Sequence, residues 1–466
     1  MRLAVVAAIS LASCGSPPGI PVQPADARNL FDGTERVDAP GMVAATDVPS
    51  VPCTATATQV YAAFAQPTAA LGTILACAPD GVLGVPTVSV AVGTGVEVTS
   101  AVAQFRIAYQ TRDGQGGPAV STARVYLPAT PRARPLPIVV AIHGSVGLAD
   151  GCAPSASMDA SLPLPYAARG FAVIAPDLAG LGNAGTQAYL DNRAQGWQVL
   201  DGARALHAIL PPGVTAPQVI LAGYSQGGGA ALSAHSLIAS DGPGIGTLVA
   251  TVVFAPQWPI SLQSFDYEAM LRTPTSLTIS EGLAFSSVAV MREYAFFDNH
   301  VAAGQGASAL PAQFRTNLEG AIQSQCLVAL GGVIQTSMLH AGDLIDASLR
   351  TSLLACLDNQ PGCSGDGAAY AQFLLANVLP PDPASGPVLL VQGLLDQIMP
   401  PAKEGSCIRD KLVAAGVGVE TCVVATATHG DLMEHHAEPL AWAESVLAGG
   451  ARTPCTPSAA LPACAR

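Results

Sequence analysis

Three residues in this chain, Ser225, Asp396 and His429, have the types and the order that nucleophilic acyl transfer requires. A serine hydroxyl is a weak nucleophile until a base takes its proton, and the base needs a third group to fix its tautomer. Ser225 lies in Gly223-Tyr224-Ser225-Gln226-Gly227, a G-x-S-x-G pattern. It follows the short β-type run Val219-Ile220-Leu221 and precedes small residues of helical character, Ala230, Ala231, Leu232 and Ala234. Strand, sharp turn and helix are the setting in which this pattern works as a nucleophile elbow. Gly223 and Gly227 let the backbone bend and the helix pack close. Asp396 follows VLLVQG in GLLDQIMP, and His429 follows CVVAT in TATHGD. Each lies in a loop after a strand, in the order serine, acid, histidine.

The tetrahedral intermediate needs hydrogen-bond donors for its oxyanion. One is expected from the backbone N–H of Gln226, just after the nucleophile at a helix N-terminus. The second is expected from the loop His143-Gly144-Ser145-Val146-Gly147, with the N–H of Ser145 favoured and Gly144 as its rival. Other titratable residues fit less well. Asp177 ends a strand but precedes the serine, and its run APDLAGLG reads as a turn shaping the pocket floor. Asp431 is too close to His429 in sequence to orient it. His435 and His436 open a helix, and His207, His235, His300 and His340 fall in helical patterns.

These loops need a sheet to carry them. LPIVVAIHG (136–144) is a continuous apolar run with β-branched residues at its centre, as expected of a strand covered on both faces. FAVIAPD (171–177), GTLVATVVFAP (246–256), PVLLVQG (387–393) and VETCVVAT (419–426) continue the series. AVAQFRIAYQTRD and AVSTARVYLP alternate as two strands joined by a turn from Gly114 to Pro118. A helix ends at Gly170. Another presents Trp197, Leu200, Ala203, Leu206 and Leu210 on one face and is closed by Pro211-Pro212. Further helices are expected around Lys403 to Ala415 and over Glu434 to Leu447. Strands alternating with helices imply a mostly parallel sheet flanked by helices, an α/β fold. The alternation breaks at Gln257 for some 130 residues of helical pattern. Such an insertion after the sixth strand predicts a helical cap over the strands' C-terminal edge, where sites in open α/β sheets lie.

At 466 residues, half of them apolar and 11% charged, the chain can bury a substantial core. Its net charge of −13 and its two lysines, Lys403 and Lys411, argue against a nucleic-acid partner. Arg2, the apolar Leu3 to Leu11 and Leu11-Ala12-Ser13-Cys14 form a bacterial lipoprotein signal, with Cys14 as the lipidated residue and an ordinary cleaved secretory signal as the alternative. Either exports the chain. The first places it in the bacterial envelope on a lipid anchor, at the outer membrane or cell surface; the second secretes it. The expected organisation is a signal peptide (1–13), a tether (14–52), an N-terminal extension (53–98), the first part of the core (99–256), the cap (257–385), the second part of the core (386–450) and a C-terminal tail (451–466).

With Cys14 set aside, ten cysteines remain, an even number in an exported protein. Cys53 with Cys77, Cys356 with Cys363, Cys407 with Cys422 and Cys455 with Cys464 lie close in sequence, leaving Cys152 and Cys326. Spacing does not fix this connectivity. No C-x-x-C pair points to a metal site, and no cofactor is expected.

AYQTRDGQGGPAVSTARVYLP, Cys152-Ala153-Pro154-Ser155, PDLAGLG, LDGARAL, GYSQGGGAAL and the acid and histidine loops together resemble the α/β-hydrolase superfamily. More narrowly, they resemble the secretory lipases of the fungal lipase A type and their bacterial relatives. The resemblance covers roughly 100–255 and 386–447, and the Cys-Ala-Pro-Ser run is its most specific part. It implies a serine esterase or lipase acting on small-molecule or lipid esters without a cofactor, with a helical cap after the sixth strand. A disulfide from the Cys-Ala-Pro-Ser region to the cap fits Cys152 with Cys326. Two other readings stand beside it. A serine peptidase of the prolyl oligopeptidase type shares G-x-S-x-G-G, but residues 15–98 are too few for a propeller. A non-catalytic binding lipoprotein would not need all three triad positions filled.

Overall fold

The computed structural model describes residues 49–62, 64, 69–129, 135–157, 160–259, 271–272, 283–338, 340–452, 455–456 and 458–465. The expected signal sequence, with Cys14, and most of the expected tether lie outside them. Among the described residues nine strands form one sheet: β1 (Ile74–Leu83), β2 (Val102–Arg112), β3 (Pro118–Pro128), β4 (Leu136–Ile142), β5 (Ala172–Pro176), β6 (Thr215–Tyr224), β7 (Thr247–Phe254), β8 (Val388–Gly393) and β9 (Val419–Val424). Their spatial order is β1-β2-β3-β5-β4-β6-β7-β8-β9. The first three neighbour pairs are antiparallel and the pairs from β5–β4 to β8–β9 are parallel.

Period-two alternation explains the layers. Ile138, Val140, Ile142, Val219, Leu221, Val388 and Leu390 share one apolar cluster with helices Asn192–Ile209, Gln226–Asp241 and Gly405–Ala414. Their neighbours Val139, Ala141, Ile220, Ala222, Leu389 and Val391 point the other way. They pack with helices Val85–Val92, Pro163–Ala168 and Ala437–Leu447. A strand buried on both faces has no polar side to show, which is why β4, β6 and β8 read as continuous apolar runs.

Four sequence expectations need correction. Residues 53–98 do not merely pack on the domain; β1 extends the sheet beyond β2, and the Cys53–Cys77 disulfide fastens the chain before it. Pro79 and Asp80 hid this strand, and its register slips between Pro79 and Val82, which an edge strand tolerates. The insertion therefore follows the seventh strand of the chain, not the sixth. The last helix begins at Ala437, preceded by a 3₁₀ turn over Gly430–Glu434.

The disulfides give the fourth correction. Among the described residues the pairs are Cys53–Cys77, Cys152–Cys326, Cys356–Cys363, Cys407–Cys464 and Cys422–Cys455. Proximity in sequence predicted Cys407 with Cys422 and Cys455 with Cys464. Cys422 packs in the cluster on one face of the sheet, whereas the Cys407 helix packs Ile408 and Leu412 on the other. The sheet separates these two thiols. The C-terminal tail wraps the β9 edge instead: Cys455 meets Cys422 on one side, and Cys464 meets Cys407 on the other. Between them Ala459 N–H donates to the Val423 carbonyl at 3.0 Å, and Val423 N–H donates to Ser458 Oγ at 3.0 Å. The tail thus covers an edge that would otherwise be open to other strands.

Between β7 and β8 the insertion builds helices Leu283–Phe296, Arg315–Ser324, Leu327–Ser337, Ala347–Leu357 and Gly365–Ala376 around an apolar cluster of their own. Where it leaves β7, the buried Trp258 faces Lys411, whose Nζ sits 4.0 Å from the ring centroid. That amine has no hydrogen-bond partner among the described residues, and burial lowers its pKa to about 8. The unfolded chain holds this proton up to about pH 10.4, so between about 8 and 10 it binds more protons than the folded one. Stability contributed at Lys411 therefore rises with pH across that window. Lys411→Met should raise the thermal midpoint below pH 8, with its advantage shrinking toward pH 10; a pH-independent difference would contradict a depressed lysine.

Candidate active site

The elbow shows why its residue types are fixed. Ser225 has φ of 52° and ψ of −115°, a strained conformation for a residue with a Cβ. Its N–H donates to the Phe254 carbonyl at 2.9 Å, and its own carbonyl accepts from Gly229 and Gln257. The turn is thereby held between β7 and the helix that follows. A Cβ on Gly223 would lie 2.1 Å from the Gly227 carbonyl oxygen, and one on Gly227 would lie 2.1 Å from that of Ile142. Neither position has room for a side chain.

Asp396 and His429 arrive from the loops after β8 and β9. His429 Nε2 is 3.0 Å from Ser225 Oγ, and His429 Nδ1 is 2.8 Å from Asp396 Oδ2. All three residues are buried. The Asp396 carboxylate is held on both oxygens. Oδ1 accepts the N–H groups of Ile398 at 2.9 Å and Met399 at 2.7 Å, and Oδ2 also accepts from Gln392 Nε2 at 3.3 Å. Tyr224, beside the serine, lies against the His429 ring at 5.1 Å between centroids and donates its hydroxyl to the His429 carbonyl. Hydroxyl, imidazole and carboxylate form one hydrogen-bonded chain, the arrangement able to move a proton off Ser225 as its oxygen attacks.

Gln226 opens the helix Gln226–Asp241, where first-turn N–H groups have no acceptor within the helix. The loop 143–147 runs beside the serine: a Cβ on Gly144 would meet the Tyr224 ring at 2.8 Å and Ser225 Cβ at 3.6 Å. Its start is tied down by His143, whose Nε2 lies 3.1 Å from the Asp177 carbonyl and Nδ1 2.6 Å from that of Gly144. Its end meets the insertion. Leu327 N–H donates to the Val146 carbonyl at 2.8 Å, Gly147 bridges Cys326, and Cys326 is joined to Cys152.

The rival residues lie elsewhere in the network. Asp177 is fully buried, with its carbonyl at His143 Nε2 and its carboxylate at Ser155 and Thr122. Burial raises its pKa, while hydrogen bonds from Ser155 and Thr122 oppose that shift. Asp431 is exposed and accepts from Thr428 N–H and Oγ1; the Thr428 hydroxyl holds its carboxyl below the usual range. His436 stands just before the last helix, its ring nitrogens at the carbonyls of Met433 and Val92. His300 is 2.9 Å from Asp191. Two supports were missed from the sequence. Gln392 had a visible signal, as the one amide in the apolar strand VLLVQG. Tyr189, whose hydroxyl is 2.5 Å from Ser145 Oγ, had none. Among the described residues no group of three or more His, Cys, Asp or Glu could hold a metal ion, and no helix is long and apolar enough to cross a membrane.

The family model described as secretory lipase matches residues 153–262, the stretch from the Cys-Ala-Pro-Ser run through the elbow. No curated protein matches the chain. Among solved structures, a ligand-bound form of the rice cell wall degrading esterase LipA from Xanthomonas oryzae is 18% identical, with a TM-score of 0.60 over 81% of this chain and 97% of that one. Candida antarctica lipase A is 19% identical, with a TM-score of 0.59 over 85% of this chain and 88% of that one. At such identities these two likenesses establish the α/β-hydrolase fold.

Proposed function

We propose that this chain, a member of the secretory lipase family of α/β hydrolases and hence a carboxylic-ester hydrolase, cleaves acyl esters through an acyl-enzyme on Ser225. His429 takes the Ser225 proton as the oxygen attacks the ester carbonyl, and returns a proton to the leaving alkoxide. Asp396 fixes the tautomer that leaves Nε2 free to accept, and stabilises the imidazolium. The backbone N–H groups of Gln226 and Ser145 receive the oxyanion. Water, activated by the same histidine, then releases the acid. The observation that carries this reading is the chain Ser225 Oγ, His429 Nε2, His429 Nδ1, Asp396 Oδ2, at 3.0 Å and 2.8 Å.

The test is hydrolysis of p-nitrophenyl esters from acetate to palmitate, beside the Ser225→Ala variant. Turnover that depends on Ser225 is expected on at least part of the series. Persistent turnover in the variant would remove Ser225 from the mechanism. The chain-length optimum reports on the insertion 257–385, read as a cap lining the acyl pocket: a long-chain optimum makes the protein a lipase, a short-chain one an esterase.

Five disulfides fit an exported protein of an oxidising compartment. We read Cys14 as its lipid attachment site and residues 14–52 as the tether. Cys14→Ser should then shift the protein from the membrane fraction to the soluble fraction and abolish incorporation of labelled fatty acid. Membrane retention of the unlabelled variant would rule out this anchor.

A further inference from the structure

The loop between β5 and the helix Asn192–Ile209 has residues in two places at once. Tyr189 and Leu190 belong by sequence to the sheet domain, yet both pack in the insertion's apolar cluster, with Met291, Phe296 and Leu374. Leu190 sits at φ of 58°, a costly conformation for a branched residue that survives only when its surroundings impose it. The surroundings are polar clamps from the insertion. Asn377 Nδ2 donates to the Leu190 carbonyl at 2.7 Å, Asn377 Oδ1 accepts the Asn192 N–H at 2.6 Å, and Asn192 Nδ2 donates to the Asn377 carbonyl at 2.7 Å. Asn299 Nδ2 adds a bond to the Thr186 carbonyl at 3.1 Å.

From this clamped loop the Tyr189 side chain reaches back to the chemistry. Its hydroxyl is 2.5 Å from Ser145 Oγ, and the residue is 1% exposed. Burial pushes the phenol well above its usual range, so it stays protonated and able to donate. Ser145 is itself only partly buried, between the His143 contact to the Gly144 carbonyl and the Leu327 bond to the Val146 carbonyl. A side-chain tether at that one residue is what would hold its N–H in a single direction.

We infer that Tyr189 is a positioning residue for ester hydrolysis: its hydroxyl fixes Ser145 in the oxyanion loop, and the insertion fixes Tyr189 through Asn377 and Leu190. The inference rests on the reading of Ser145 N–H as an oxyanion donor. Docking of the insertion is thereby registered in the donor geometry some distance from any acyl chain it contacts.

The experiment measures kcat and KM for p-nitrophenyl butyrate, and the affinity of butylboronic acid, whose tetrahedral adduct on Ser225 places an oxygen in the oxyanion hole. Tyr189→Phe should lower kcat about 10- to 30-fold, less than the ~10²–10³ for losing a donor outright. KM should change less than about twofold, and the boronate should weaken by the same factor as kcat. Ser145→Ala cuts the same hydrogen bond from the loop side and should reproduce the loss, with the double variant no worse than either. It also decides the matter if Tyr189→Phe fails to fold. Asn377→Asp removes the donor to Leu190 while keeping the acceptor for Asn192; it should lower kcat in the native background and not in Tyr189→Phe. Replacing the Ser145 amide by an ester, through incorporation of the α-hydroxy acid, deletes the N–H itself. If that ester costs kcat while Tyr189→Phe and Ser145→Ala leave kcat and boronate affinity unchanged, the positioning role is overturned and the oxyanion reading stands. If the ester leaves kcat unchanged, the oxyanion reading falls, and the inference with it.

Discussion

Replacing Ser225 with Ala is expected to lower kcat for p-nitrophenyl butyrate by about 10⁶-fold, the scale seen when the nucleophile of a serine triad is removed. The residual rate would come from the oxyanion donors and substrate binding. The fold should not suffer. Alanine keeps the Cβ, so the strain at φ of 52° is unchanged, and the serine hydroxyl makes no capping bond to the helix it precedes. A thermal midpoint at or slightly above that of the native protein is therefore expected beside the lost activity. Labelling by a fluorophosphonate should vanish in parallel. A loss of less than about tenfold would mean that another group attacks the ester. A loss accompanied by a collapsed midpoint would leave the elbow's geometry, rather than its oxygen, as the cause.

Asp396→Asn should cost about 10⁴-fold in kcat through the wrong tautomer of His429. The surroundings decide which way the new amide points. Ile398 and Met399 N–H groups both aim at the Oδ1 position and require an acceptor there. The amide oxygen takes that place, so the NH₂ must occupy the Oδ2 position, 2.8 Å from His429 Nδ1. Two donors cannot face each other. His429 must carry its proton on Nε2, and it then offers Ser225 a donor where an acceptor is needed. Gln392 Nε2, also directed at Oδ2, adds a second conflict. Gln392→Glu combined with Asp396→Asn gives the new NH₂ an acceptor but sets a carboxylate against the Met399 carbonyl, to which Gln392 Nε2 donates at 3.0 Å in the native protein. It leaves the imidazole tautomer wrong, so no recovery of kcat is expected from the pair. The pH–rate profile and proton NMR of the imidazole check this directly. An intact Nδ1–H resonance in Asp396→Asn would overturn the tautomer argument.

Much of this was legible in the sequence because the governing physics is local. Strands covered on both faces must be apolar throughout, so β4, β6 and β8 announced themselves in VVAI, VILA and VLLV. The elbow demanded glycine on both sides of its serine, and the clashes at Gly223 and Gly227 give the reason. Chain order then placed an acid and a histidine after the last two strands, where a parallel sheet delivers successive loops to one edge. The secretory lipase match spans the same elbow segment.

What the sequence could not decide involves residues that meet only after the sheet has formed. β1 contains Pro79 and Asp80, and pairs because β2 offers it an edge. Cys407 and Cys422 are fifteen positions apart, yet opposite faces of the sheet keep them from meeting; the tail crosses the β9 edge to supply each with a distant partner. Tyr189 had no periodicity or motif to mark it, because its place depends on Asn377, a residue brought beside it by the folding of the insertion. Sequence by itself determined the elements and the candidate reacting residues, since burial, strain and strand order act along the chain. Tertiary structure alone decided the edge strand, the disulfide partners and the loop that joins the insertion to Ser145, since those depend on which face of the sheet each side chain reaches.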